Sequence, residues 1–156
     1  MNDVTMTLAG DGDRRDWRAE VWEDRHGRAP FTKWFEKLGD YDQAVVDTAI
    51  EKILVPYGID IAATEWGKPL GDGLYEFRIR RSLSTLVNWG KTEEECENLP
   101  PEMDKTVLLR IFCAFHGDRI ILLFQGYDKG KDPSEKRQHR EIKKAKKHLR
   151  AWKNEG

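Results

Sequence analysis

Gly73-Leu74-Tyr75-Glu76-Phe77-Arg78-Ile79-Arg80-Arg81 alternates from one end to the other. With a side-chain period of two, Leu74, Glu76, Arg78 and Arg80 share one face, and Tyr75, Phe77, Ile79 and Arg81 share the other. The aromatic and branched set is predicted to meet a core. The opposite set places two guanidiniums about 7 Å apart along one strand. Downstream, residues 107–115 and 119–126 are dense in apolar side chains and are joined by His116-Gly117-Asp118, a compact hairpin signal. Both are predicted as central strands, and the three late strands are expected to run antiparallel.

Upstream, residues 17–24 read as a strand with Trp17, Ala19 and Val21 on one alternating set, closed by a turn at Gly27. Phe31, Trp34, Phe35 and Leu38 recur at helical spacing, and Gly39 is placed to end that helix. Asp40 and Gln43 have capping-box spacing for a second helix, whose apolar stripe is Val46, Ile50, Ile53, Leu54 and Tyr57. Pro56 conflicts with an uninterrupted helix, so an end or kink is expected near Val55. Residues 58–73 read as loop. Residues 82–106 are acidic, contain Pro100 and Pro101, and are too long for an ordinary hairpin connection. The last helix has Asp132 as its expected cap, Pro133 in the first position and Glu135 three residues after the cap. Ile142, Ala145, Leu149 and Trp152 form its apolar stripe, and Lys143, Lys144, Lys146, Lys147 and Arg150 cover the rest. The predicted fold is α+β, with an N-terminal strand and a helical hairpin packed on a small antiparallel sheet, followed by a C-terminal helix.

A length of 156 residues suits one domain, expected over 17–153 with a flexible extension at 1–16 and an acidic insertion at about 82–106. No run approaches the roughly 18 apolar residues of a membrane span. The first residues lack the apolar segment of a signal peptide, so a cytoplasmic location is expected. Cys96 and Cys113 have no paired spacing and are read as reduced thiols. The histidines and cysteines form no metal-ligand pattern. His116 is expected in an exposed turn, and Trp66 and Trp89 in exposed loops.

The net charge of −1 conceals blocks of opposite sign. Residues 1–66 carry a net −6 and residues 82–106 a net −4, whereas residues 129–153 carry +8. A positive terminal block of that density points to a polyanionic partner.

The order of motifs resembles that of phage-related HigB-type toxins in the RelE/ParE superfamily. Gly73 to Arg80 is similar to the family's GLxExR strand, and Leu109-Arg110-Ile111-Phe112 resembles its strand with Tyr-Arg before two hydrophobic residues. Asp118 to Tyr127 looks like the strand that ends in LhgF. Lys129 to Pro133, followed by Glu141, Ile142 and Ala145, looks like the KKxxktP…eI..A run that opens the last helix. The succession covers residues 17–153 apart from the acidic stretch, which replaces a short family hairpin.

This resemblance implies a RelE-like fold, ribosome-dependent cleavage of mRNA and neutralisation by a cognate antitoxin protein. It implies a catalytic set of Arg78, Arg80, Arg110, Tyr127, Lys129 and Lys131. A gyrase-directed toxin, and a non-catalytic RNA- or protein-binding member of the same fold, fit the same succession.

Cleavage through the 2′-hydroxyl requires removal of its proton, neutralisation of charge growing on the phosphorane and protonation of the leaving 5′-oxygen. That route calls for no metal or cofactor. Arginine forks suit the second task. A lysine serves as the base only where its pKa is lowered, and Tyr127 suits stacking on a base or placing a proton. Glu76 shares the arginine face as an alternative base or an ion-pair partner. Lys136, Arg137, Arg140, Lys144 and Lys147 are expected to hold the RNA backbone.

Overall fold

The computed structural model describes residues 16–155, so all of the expected N-terminal extension except Asp16 lies outside the described residues. The alternating stretch forms β3 (Leu74–Ile79), antiparallel to β4 (Leu109–His116), which is antiparallel in turn to β5 (Ile120–Asp128). Two further strands make the sheet larger than the expected antiparallel one. β1 (Arg18–Val21) adds parallel to β5, and β2 (Gly67–Gly71) adds antiparallel to β3. The sheet is therefore mixed and five-stranded, in the order β1-β5-β4-β3-β2. β2 lies in the stretch expected to be loop, because Gly67, Pro69 and Gly71 are poor strand formers. Pro69 is tolerated there because β2 is an edge strand.

One face of the sheet is covered by the helical hairpin. α1 (Pro30–Glu36) starts on a proline, whose missing N–H has no partner to lose in a first turn. α2 (Asp40–Ala49) is capped by Gly39, whose φ of −69° makes it no left-handed helix stop. The expected capping box does not form, since the Gln43 side-chain amide donates to the Phe35 carbonyl at 3.0 Å. Asp40 and Asp42 occupy the first turn, where the helix dipole favours negative charge.

The helix then passes Pro56 by widening. Over Ile50–Leu54 it is π-helical, with Val55 donating to the Ile50 carbonyl, and it runs into α3 (Val55–Tyr57). A wider turn accommodates a residue that has no N–H to give. Val45, Val46, Ile53 and Leu54 pack from this layer onto Phe77, Ile79, Ile111 and Leu123.

The other face is covered by α5 (Glu135–Glu155), which sets Ala145 and Leu149 over Leu74, Phe112, Leu122 and Phe124. Its cap is Ser134 and not Asp132. The Ser134 hydroxyl accepts from the Arg137 N–H at 3.1 Å, and its carbonyl accepts from Gln138. Both faces of β3 are thus roofed, and the arginine-bearing face is not the open surface that alternation alone suggests. Among the described residues, no helix is long and apolar enough to cross a membrane.

The acidic stretch is ordered into α4 (Leu83–Val87) and a 3-10 turn, Pro101–Asp104. Its ends are joined by a bridge between Ser82 and Thr106 that prolongs the β3–β4 ladder. Tyr41 of α2 clasps both ends, with its hydroxyl donating to the Lys105 carbonyl at 2.6 Å and accepting from the Leu83 N–H at 3.1 Å. Leu86 is buried in the helical-layer core, and Trp89 packs edge-on against Trp66 at 5.3 Å. Trp66 is itself 4% exposed, so neither tryptophan stands free in an exposed loop as expected. These anchors all lie in the layer opposite α5. Replacing residues 83–105 by a short turn is expected to lower the melting temperature, because Trp66 and Tyr41 lose their cover. Geometry at Arg78 and Arg110 should stay unchanged, which chemical shifts of the two guanidinium Nε–H groups would report.

Candidate active site

Strand register places the site. Arg78 lies opposite Arg110, and Arg110 lies opposite Tyr127, so one row across three strands reads Arg78–Arg110–Tyr127. The next row reads Glu76–Phe112–Gln125. A bulge in β5 makes the rows possible. Phe112 pairs with Gln125 and Cys113 with Leu123, which leaves Phe124 as the extra residue. Beyond a bulge the alternation of faces is inverted. Leu122 and Phe124 face α5, and Gln125 and Tyr127 do so as well, while Gly126 faces the helical layer. A Cβ on Gly126 would lie 2.5 Å from the Trp34 ring, so only glycine fits where α1 crosses the strand.

Within the rows, charge is held at low exposure. The Glu76 side chain is fully buried and that of Arg110 is 4% exposed. Glu76 Oε1 accepts from Arg78 Nε at 3.0 Å and lies 3.9 Å from Arg110 Nε. Glu76 Oε2, Arg110 Nε and Nη1, and the Tyr127 hydroxyl are buried without a hydrogen-bond partner among the described residues. Buried polar groups are nearly always paired, so four unpaired atoms in one cluster ask for a ligand or solvent.

α5 adds a second carboxylate. Glu141 accepts from Gln125 Nε2 at 3.0 Å and from Arg137 Nε at 2.8 Å. The Arg137 guanidinium lies 5.4 Å from the centre of the Tyr127 ring, which stacks on Phe112 at 5.9 Å.

Proton affinities follow this crowding. Burial lowers the pKa of Arg110 from the usual arginine range, and Glu76 opposes that shift. Burial, followed by the Glu76 charge, raises Tyr127 above the usual phenol range. Lys129 is lowered, first by burial and then by repulsion from Arg110, with Arg78 and Arg80 adding to it.

Not every expected residue joins this cluster. Arg78, Arg110 and Tyr127 meet in it, Lys129 lies at its margin within the field of Arg110, and Arg137 covers it. Arg80 is exposed beyond the end of β3, and Lys131 is exposed on the connection before α5. Lys136, Arg140, Lys144 and Lys147 are exposed along α5. His116 is not a free turn residue, since its ring packs on Trp152 at 4.8 Å and its Nε2 is buried. Among the described residues, no group of three His, Cys, Asp or Glu side chains is placed to hold a metal ion.

No family model, curated protein or solved structure matches this chain.

Gln125 and Glu141 are functional candidates that the sequence reading passed over. Gln125 breaks an otherwise apolar run, and Glu141 is an acid in a basic helix. Each is a polar residue at odds with its surroundings, and that was the available signal.

Proposed function

We propose that the chain is an RNA-cleaving toxin of the RelE/HigB kind, acting on ribosome-bound mRNA through the 2′-hydroxyl and restrained by a cognate antitoxin. One observation carries this reading. The Arg78–Arg110–Tyr127 row, with Lys129 at its margin, gathers cations around buried donors that have no partner among the described residues. A phosphate that enters between Arg78 and Lys129 offers its oxygens to Arg110 and Tyr127. Such fixed donors stabilise charge that develops in the transition state.

The lowered pKa of Lys129 suits it to take the 2′-hydroxyl proton. The 2′-oxygen then bonds to phosphorus, the bond to the 5′-oxygen breaks, and Tyr127 supplies the proton that the leaving oxygen takes up. The products are a 2′,3′-cyclic phosphate and a free 5′-hydroxyl. Lys136, Arg140, Lys144 and Lys147 supply sequence-independent attraction for the backbone along α5.

The burial of Arg110 and Tyr127 favours one second reading, an RNA-binding member of the fold without turnover. Mapping of transcript ends after brief induction separates the two. New 5′ ends on ribosome-bound message are expected from the wild type, and their absence removes the enzyme reading. Lys129→Met should reduce cleavage about 100-fold without changing the melting temperature. Wild-type cleavage should rise with pH up to the Lys129 pKa, because the neutral amine is the active form, and that rise should be missing in Lys129→Met.

A further inference from the structure

We propose that Glu141 is a positioning residue, which fixes the Arg137 guanidinium at the margin of the site so that its outer edge grips an RNA phosphate. The inference rests on the RNA reading above. Glu141 is 6% exposed on a helix that is otherwise strongly basic. A buried carboxylate is costly unless it is paired and hydrogen-bonded. Here its two oxygens are divided. Oε1 accepts from Gln125 on β5, and Oε2 accepts from Arg137 Nε one helical turn away, with Lys144 Nζ at 3.8 Å.

Arg137 is thus held at two points, by its Nε and by the ring of Tyr127 beneath it. Among the described residues neither of its Nη groups makes a hydrogen bond, and Nη1 lies 3.9 Å from the Asp132 carboxylate. A guanidinium bound through Nε keeps its Nη edge for a second, two-oxygen acceptor such as phosphate. Holding it in advance removes the ordering cost that a free arginine incurs on binding.

Electrostatics and positioning predict opposite signs for Glu141→Gln. That substitution removes a negative charge beside an anion site, so charge alone predicts tighter RNA binding. Positioning predicts weaker binding. For a short 2′-O-methylated single-stranded RNA, we expect affinity to fall about fivefold and the salt slope to shrink by about 0.7, the share of one lost phosphate contact. In an Arg137→Ala background Glu141→Gln should cause no further weakening. Tighter binding by Glu141→Gln, or equal weakening in both backgrounds, overturns the proposal.

Should Glu141→Gln fail to fold, Gln125→Met releases Glu141 without changing charge, and an unaltered affinity and salt slope then overturns it. If the wild type does not bind the RNA, the RNA reading fails by itself. Positioning is then decided by the Arg137 Nε–H resonance, expected to exchange slowly in the wild type and quickly in Glu141→Gln. Equal exchange in the two proteins overturns it.

Discussion

Arg110→Ala is expected to lower folding stability by about 3 kcal/mol and to bring RNA cleavage to background. The two losses have separate origins. Glu76 is fully buried, and Arg78 and Arg110 are its ion-pair partners among the described residues. Removing Arg110 leaves that carboxylate with one partner in a medium that solvates it poorly. It also removes a source of the repulsion that lowers the Lys129 pKa. The variant is therefore not a clean activity probe, and loss of cleavage in it carries no meaning until its fold has been measured. A double variant, Glu76→Gln with Arg110→Met, removes both charges and should recover most of the stability while remaining inactive. Chemical denaturation followed by circular dichroism, alongside transcript-end mapping, checks both. Wild-type stability in Arg110→Ala would show that the pair does not act as a balanced unit.

Gly58→Ala is expected to cost about 4 kcal/mol, through backbone strain and overpacking together. Gly58 follows α3 with φ +54° and ψ −133°, a conformation that L side chains rarely adopt. A Cβ there would lie 2.0 Å from Nε1 of Trp17. Trp17 has little room to retreat, because its backbone N–H donates to the Val55 carbonyl and its ring meets Phe115 edge-on at 5.3 Å. Gly27→Ala is the matched control. It has a positive φ of +79° but open space around the would-be Cβ, so strain of about 1 kcal/mol is all it should show. Thermal melting of the two variants should therefore differ severalfold in shift, and equal shifts would refute the overlap with Trp17.

The alternation of residues 74–79 was enough to find β3 and to separate Phe77 and Ile79 from Glu76 and Arg78. It was silent on what covered the second face. A strand roofed on both sides can keep charges on one of them when those charges neutralise each other, and Glu76 does this for Arg78 and Arg110. β2 was hidden because its pairing is supplied by the backbone of β3, with little help from its own side chains. Trp66 looked exposed because it precedes that unrecognised strand. The helix through Pro56 was legible as a conflict, though not in its resolution by a π turn. In the site, Arg78 was legible from the period and Arg110 from the resemblance. Gln125 and Glu141 were not, because the hydrogen bond that joins them runs from β5 to α5 and follows from no local spacing. Simple alternation from Ile121 and Leu123 would even have turned Tyr127 toward the helical layer.

The bulge at Phe124 therefore separates β5 into two lengths that answer to different demands. Before it, the chain is phased to fill two cores. After it, the same strand is phased to deliver Gln125 and Tyr127 to α5. A substitution on either length is a local event. A gain or loss of one residue between Phe124 and Tyr127 would exchange inside for outside, sending the tyrosine under α1 and a neighbour into its place. The connection at residues 117–119 lies before the bulge and outside the ladder, so the same change there can be taken up in the turn. At this end of the strand the length is locked, and at Gly126 so is the residue.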